Sequence, residues 1–254
     1  PTRRSSDLGF GIAQIEDRYF QNNVIDFDKD KYDKSGYRLF GGSVSFNGST
    51  LNSRQFPIQG AREALVAQIF TGNESFRPGV NSENKKPVKE KHSWLQLSYM
   101  KEKYHKMGAN WILGWYLDAV YASKNFSENY TATMMQASEF APTAHSKLTY
   151  NEAFRANQYV AAGIRPIYRL NQMFHVRGEF YGFLPIFPIE RNSINKAYYG
   201  KAFSRFEYLG EISVVCQLPF GAISAYVNHY SSPRREWNVG LTLGWQLFNY
   251  RFIE

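Results

Sequence analysis

The feature that most restricts this chain is an alternation of apolar and polar residues, sustained for more than ten positions at a time in its last third. In 173–186, Phe174, Val176, Phe180 and Leu184 share one parity, while His175, Arg177, Glu179 and Tyr181 share the other. In 201–217, Phe206, Tyr208, Ile212 and Val214 alternate with Arg205, Glu207, Glu211 and Ser213. In 236–249, Trp237, Val239, Leu241, Leu243, Trp245 and Leu247 alternate with Asn238, Gly240, Thr242, Gly244 and Gln246. Successive side chains of a strand point to opposite faces, so this pattern predicts strands with one apolar and one polar face. Soluble strands average about 5–6 residues. Runs at least twice as long, charged on one face, suit a membrane barrel with lipid outside and a wet lumen. The alternative is a long-stranded soluble barrel or sandwich. That fold buries its apolar face and would not normally set Arg177 and Glu179 beside Arg205 and Glu207 on a solvated interior.

Comparable segments occur at 155–169, 109–121, 92–104, 60–73, 35–51 and 9–20, and the stretch between the turns at 218–221 and 232–235 completes ten. In 109–121, Trp111, Leu113, Trp115 and Leu117 take the outward parity and Asp118 the inward one. Pro166 has no N–H to donate and predicts a local break in the ladder. The connections supply an independent check, because outer-membrane barrels have short turns at one end and long loops at the other. Placing 52–59, 105–108, 170–173 and 218–221 at one end leaves 21–34, 74–91, 187–200 and 232–235 at the other. The pattern holds only if 122–154 is a single 33-residue outside loop. Reading 129–137 as a further strand would reverse the long and short ends. The expected fold is therefore all-β, a transmembrane antiparallel β-barrel with ten strands present.

Composition agrees with this reading. Aromatics are 17% of the 254 residues, with 18 Tyr and 20 Phe, yet the mean hydropathy is −0.47. No stretch approaches the roughly 18 apolar residues of a transmembrane helix. The net charge of +8 is spread along the chain, so nucleic-acid binding is not expected. Cys216 is the single cysteine, which leaves no disulfide framework. The opening octapeptide, PTRRSSDL, matches at all eight positions the translation of CCT ACA CGA CGC TCT TCC GAT CT, the tail of a widely used sequencing adapter. Residues 1–8 are accordingly read as adapter-derived, and 9–254 as a barrel domain incomplete on its N-terminal side.

The segment 218–254, LPFGAISAYVNHYSSPRREWNVGLTLGWQLFNYRFIE, resembles the C-terminal end of patatin-like outer-membrane proteins. In these a lipid-hydrolase domain precedes a barrel of the bacterial surface-antigen (BamA-type) superfamily. APTAHSKLTYNEAFRANQYVAAGIRPIYRL (141–170), FHVRGEFYGFLPI (174–186) and NYTATMMQASEFAPT (129–143) carry the same resemblance. It covers most of 92–254, and 9–91 more loosely. It implies a sixteen-stranded barrel, of which this chain carries roughly the last ten strands. It also implies that the long loop folds into the lumen and that a loop arginine meets an acidic residue on a nearby strand. By position these are Arg155 and Glu179. The superfamily motif is Val-Arg-Gly-aromatic, and Phe154-Arg155-Ala156-Asn157 departs from it after the Arg. The alternative for Arg155 is a place at the lipid-headgroup rim.

No catalytic residue is expected within this chain. Gly41-Gly42-Ser43-Val44-Ser45 lacks the last Gly of a Gly-x-Ser-x-Gly elbow and lies in a strand pattern. His92, His105, His145, His175 and His229 lack zinc-ligand spacing, so no metal and no cofactor are expected. Asp26, Asp28 and Asp30 imitate the start of a calcium loop, but Lys31 replaces its Gly and Tyr37 its Glu. Trp111, Phe187, Tyr198, Tyr199, Tyr230 and Tyr250 suit interfacial girdles, while Arg177, Arg205, Glu207 and Glu211 are expected to face the lumen. The expected role is a bacterial outer-membrane barrel that anchors or exports an upstream patatin-like acyl hydrolase. Its expected partners are outer-membrane lipids and the outer-membrane assembly machinery. The runner-up is a barrel-assembly factor of the BamA type. An open channel is disfavoured by the 33-residue loop.

Overall fold

Ten long strands, each hydrogen-bonded only to neighbours along the large sheet, make one antiparallel sheet. The computed structural model describes residues 3–20, 32–79, 82, 85–219, 221–232 and 237–245. The strands are β1 (Arg3–Tyr19), β2 (Asp33–Ser49), β3 (Gly60–Arg77), β4 (Val88–Lys106), β5 (Trp111–Ala122), β6 (Gln158–Arg169), β7 (Phe174–Pro185), β10 (Glu207–Leu218), β11 (Gly221–Tyr230) and β12 (Trp237–Trp245). Between β7 and β10, β8 (Ile189–Arg191) and β9 (Ala197–Tyr199) form a separate two-stranded ribbon. Among the described residues the large sheet is not closed, and β1 and β12 are its edges.

Parity decides which side of the sheet each residue takes. Along β7, His175, Arg177, Glu179, Tyr181 and Phe183 are buried, whereas Phe174 and Phe180 are exposed. Along β10, Glu207, Leu209, Glu211 and Ser213 are buried, whereas Tyr208, Ile212 and Val214 are exposed. Val239 and Leu241 of β12 are 84% and 80% exposed. The usual arrangement is inverted, with the charged face inside and the apolar face outside. The sheet curls around its polar face, because Arg177 of β7 reaches the hydroxyl of Tyr104 on β4 at 3.0 Å. The connection between β2 and β3 crosses the hollow as well. Its Pro57 carbonyl accepts from Arg177 at 2.8 Å, and Gln55 lies so close to Gly244 of β12 that a Cβ there would sit 2.3 Å from Gln55 Oε1.

Several sequence expectations need adjusting. β1 begins at Arg3 instead of residue 9, with 3–8 paired to 44–49; the side chains of 4–8 are exposed. β3 and β4 extend beyond their expected outer ends, and β10 starts at Glu207 instead of 201. The β6–β7 ladder omits Arg165 and Pro166, the break expected of a residue without an N–H. Residues 130–136 are neither strand nor plain loop but a helix, α1 (Tyr130–Gln136), begun by the Asn129 side chain accepting from the Ala132 N–H at 2.9 Å. Asp26, Asp28, Asp30, Tyr250 and the end of the last predicted strand lie outside the described residues.

Candidate functional site

Two features occupy the hollow of the sheet, a charge cluster and the long loop above it. The cluster draws Glu102 and Tyr104 from β4, Arg165 from β6, and Arg177, Glu179 and Tyr181 from β7, all buried. Arg165 Nη1 donates to Glu102 and, at 2.6 Å, to the Tyr104 hydroxyl. Its Nε donates to the Tyr181 hydroxyl at 2.7 Å and lies 3.7 Å from Glu179. Arg177 Nε donates to Glu179, which also accepts from Tyr181. The Arg165 guanidinium lies 4.7 Å from the Tyr116 ring centroid. Two guanidinium ions face two carboxylates, so the group is neutral as a whole. Burial this deep is tolerable only when each charge has a partner and its remaining donors are satisfied. Gly163 of β6 leaves room for Tyr181, since a Cβ there would come within 2.2 Å of that ring.

The connection between β5 and β6 folds into the hollow from the end that carries the long loops. Phe140 and Phe154 pack on Val120, Tyr159, Tyr181, Phe183, Leu209 and Tyr230, with Phe140 stacked on Phe183 at 5.7 Å. Polar contacts fix the loop to strands on both sides. Asn129 Nδ2 donates to the Tyr19 hydroxyl of β1 at 2.7 Å, and Gln136 Nε2 to Asp17 at 2.9 Å. On the far side His145 Nδ1 lies 2.9 Å from the Tyr230 hydroxyl of β11, and Asn151 donates to the Ser232 carbonyl at 3.0 Å.

The expected Arg155–Glu179 pair does not form. Arg155 Nη2 donates to Glu139 at 2.7 Å and Nη1 to the Met135 and Ala137 carbonyls. A backbone bridge between Glu139 and Arg155 joins the two arms of the loop and keeps this arginine with its own segment. Glu179 is instead taken by Arg177 and Arg165. Arg177, Glu207 and Glu211 are buried on the inward face, and Arg205 donates to Glu207 at 2.8 Å. Among the expected girdle residues, Trp111 is exposed and packs on Tyr168 at 4.9 Å. Phe187, Tyr198 and Tyr199 are also exposed but belong to the β7–β10 connection, where Tyr199 packs on Phe126 at 4.5 Å. Tyr230 is a correction. It shares the inward parity of Asn228 and is buried beneath the loop. Sequence reading missed Glu102, Tyr104 and Arg165. A second group it missed, Glu74, Glu90 and His92, places one ligand atom from each residue within 4.8 Å of the others.

Lys124 begins the loop with its ammonium 4.6 Å from the Trp94 ring centroid and 3.4 Å from the Gln136 carbonyl. Burial pushes it from 10.5 down to about 8, against the opposing pull of the Glu74 and Asp17 carboxylates. Between these two values the folded chain releases a proton that the unfolded chain keeps, so stability rises with pH across that window. Melting temperature is expected to climb from pH 8 towards 10 relative to Lys124→Met, which has no proton to release there. Parallel pH profiles for the two proteins would contradict this.

Compared with known proteins, the chain matches no protein-family model, no curated protein and no solved structure.

Proposed function

We propose that this chain is the lipid-embedded wall of a bacterial outer-membrane β-barrel that anchors or exports a patatin-like acyl hydrolase lying upstream of it. The observation supporting membrane insertion is the inversion of the two faces. An apolar patch on a water-soluble monomer rarely exceeds a few hundred Å², yet here apolar side chains of nearly every long strand are exposed on the outer face. The opposite face keeps Arg177 at 2% exposure among carboxylates and tyrosines. Water would penalise the first arrangement, whereas lipid stabilises it and makes the inward polar face its natural complement.

Lipid also demands that no strand edge stay unpaired. The edges at β1 and β12 would be joined through the remaining strands of the sixteen-stranded barrel that the resemblance implies. The loop docked on the inward face favours an anchoring or export role over an open channel. The hydrolase assignment rests on the resemblance of 129–186 and 218–254, and no residue of this chain is assigned to catalysis.

Two measurements test the two layers of the reading. Expressed behind an export signal in a Gram-negative cell, the chain should resist alkaline extraction and float with outer-membrane vesicles. Recovery as a stable soluble monomer would remove the barrel itself. Sequence read upstream of residue 9 in the source DNA should encode a Gly-x-Ser-x-Gly elbow and a later Asp-Gly. Periplasmic interaction repeats in that place would instead assign the barrel to an assembly factor.

A further inference from the structure

The inward face of the β3–β4 hairpin, close to its turn, carries an arrangement outside the charge cluster. Glu74 of β3 stands directly opposite Glu90 of β4, and His92 lies two residues further along β4, opposite Gly72. Like charges directly across an antiparallel pair repel and destabilise the sheet. Glu74 is 1% exposed, and Glu90 forms no hydrogen bond or ion pair with the described residues. His92 is 4% exposed; its Nε2 lies 2.9 Å from Glu74 Oε2, and its Nδ1 is buried with no hydrogen-bond partner. The Glu74 carboxylate attracts the Lys124 ammonium. Among the described residues, no cation is paired with the Glu90 carboxylate.

We propose that Glu74, Glu90 and His92 bind a divalent first-row transition cation, Zn²⁺ in the first instance. One imidazole and two carboxylates form a borderline donor set that suits zinc, whereas Mg²⁺ and Ca²⁺ take oxygen ligands. The three candidate ligand atoms lie within 4.8 Å of one another. Bonds of about 2.0–2.1 Å to a tetrahedral ion need ligand separations of about 3.4 Å, so the 2.9 Å contact between His92 and Glu74 must open slightly while Glu90 moves in. Glu90, exposed at the rim, has the freedom to make that movement. Glu74 is already oriented from behind, because its Oε1 lies 3.2 Å from the Tyr37 hydroxyl and 3.5 Å from the Glu128 N–H. Such outer contacts fix a ligating carboxylate and leave its other oxygen, Oε2, for the ion. The cation would remove the Glu74–Glu90 repulsion and tie β3 to β4 beside the docked loop. The inference does not depend on the membrane reading.

The test is calorimetric titration of the purified full chain with ZnCl₂, in detergent micelles at neutral pH, with MgCl₂ as the comparison. The expected result is one zinc per chain, a higher melting temperature with zinc that chelator reverses, and little response to magnesium. Glu90→Gln, at an exposed position that folding does not require, should weaken zinc binding more than about tenfold. His92→Gln should abolish it in whatever fraction folds. No binding by the native chain would overturn the proposal. So would equal zinc affinity in Glu90→Gln, which would point to scattered histidines, or magnesium binding as tight as zinc.

Discussion

On the proposed membrane reading, Ile212→Arg should lower the stability of the folded chain in lipid by about 2–4 kcal/mol, the cost of an arginine near the bilayer midplane on a barrel's outer face. Ile212 lies in the middle of β10, paired with Gly178 and Val227, and is 51% exposed on the apolar face. In water the same substitution would be close to neutral, since changes at exposed surface sites usually stay within about 0.5 kcal/mol. The two environments therefore predict outcomes several-fold apart from one variant. Urea unfolding of vesicle-reconstituted protein gives the difference directly from the midpoint and slope. A midpoint indistinguishable from that of the native chain would remove the main support for a lipid-facing surface.

The second large effect comes from the inward face. Arg177→Met removes the nearest counter-ion of Glu179 and the donor to the Pro57 carbonyl and the Tyr104 hydroxyl. Breaking a buried pair from one side costs about 3–5 kcal/mol, because the remaining charge stays buried and under-compensated. Arg165, 3.7 Å from Glu179, softens that loss without replacing the direct bond. Combining Arg177→Met with Glu179→Leu should recover most of the stability, since Arg165 and Glu102 still form a neutral pair. If the double variant is no more stable than the single one, the loss comes from packing around Tyr104 and Tyr181 and not from charge. The same unfolding measurement separates the two cases.

The strands of the last third were legible in the sequence because their two faces carry opposite chemistry at alternate positions. Phe174 against His175, or Ile212 against Glu211, already states which face each residue takes. The alternation of short and long connections then fixed the strand count, including the choice of one loop for 122–154. What parity cannot show is which inward residues meet across the hollow. Arg165 reaches Glu102 from 63 residues away, and Arg177 reaches Tyr104 from 73. Those contacts depend on curvature, which alternation does not encode. Arg155 was misplaced because the loop is not periodic, and its partner is set by a single bridge to Glu139. Tyr230 was misread for a different reason. Its place at a strand end suggested a girdle, although its parity with Asn228 already pointed inward. Glu74 and Glu90 fell in the expected connection 74–91, and only the extended β3–β4 register brings them beside His92.

The order of the sheet also carries a kinetic meaning. Most neighbouring strands are close along the chain, so most of the sheet can close hairpin by hairpin at modest entropic cost. The loop contacts are of another kind. Asn129 meets Tyr19 across 110 residues, and His145 meets Tyr230 across 85. Contacts that span so much chain become affordable only after the strands between them have paired. Loop docking is then a terminal step, and until it occurs the charged face remains open to water. Such a sequence of events lets the chain complete its backbone pairing first and dehydrate its ionic interior last.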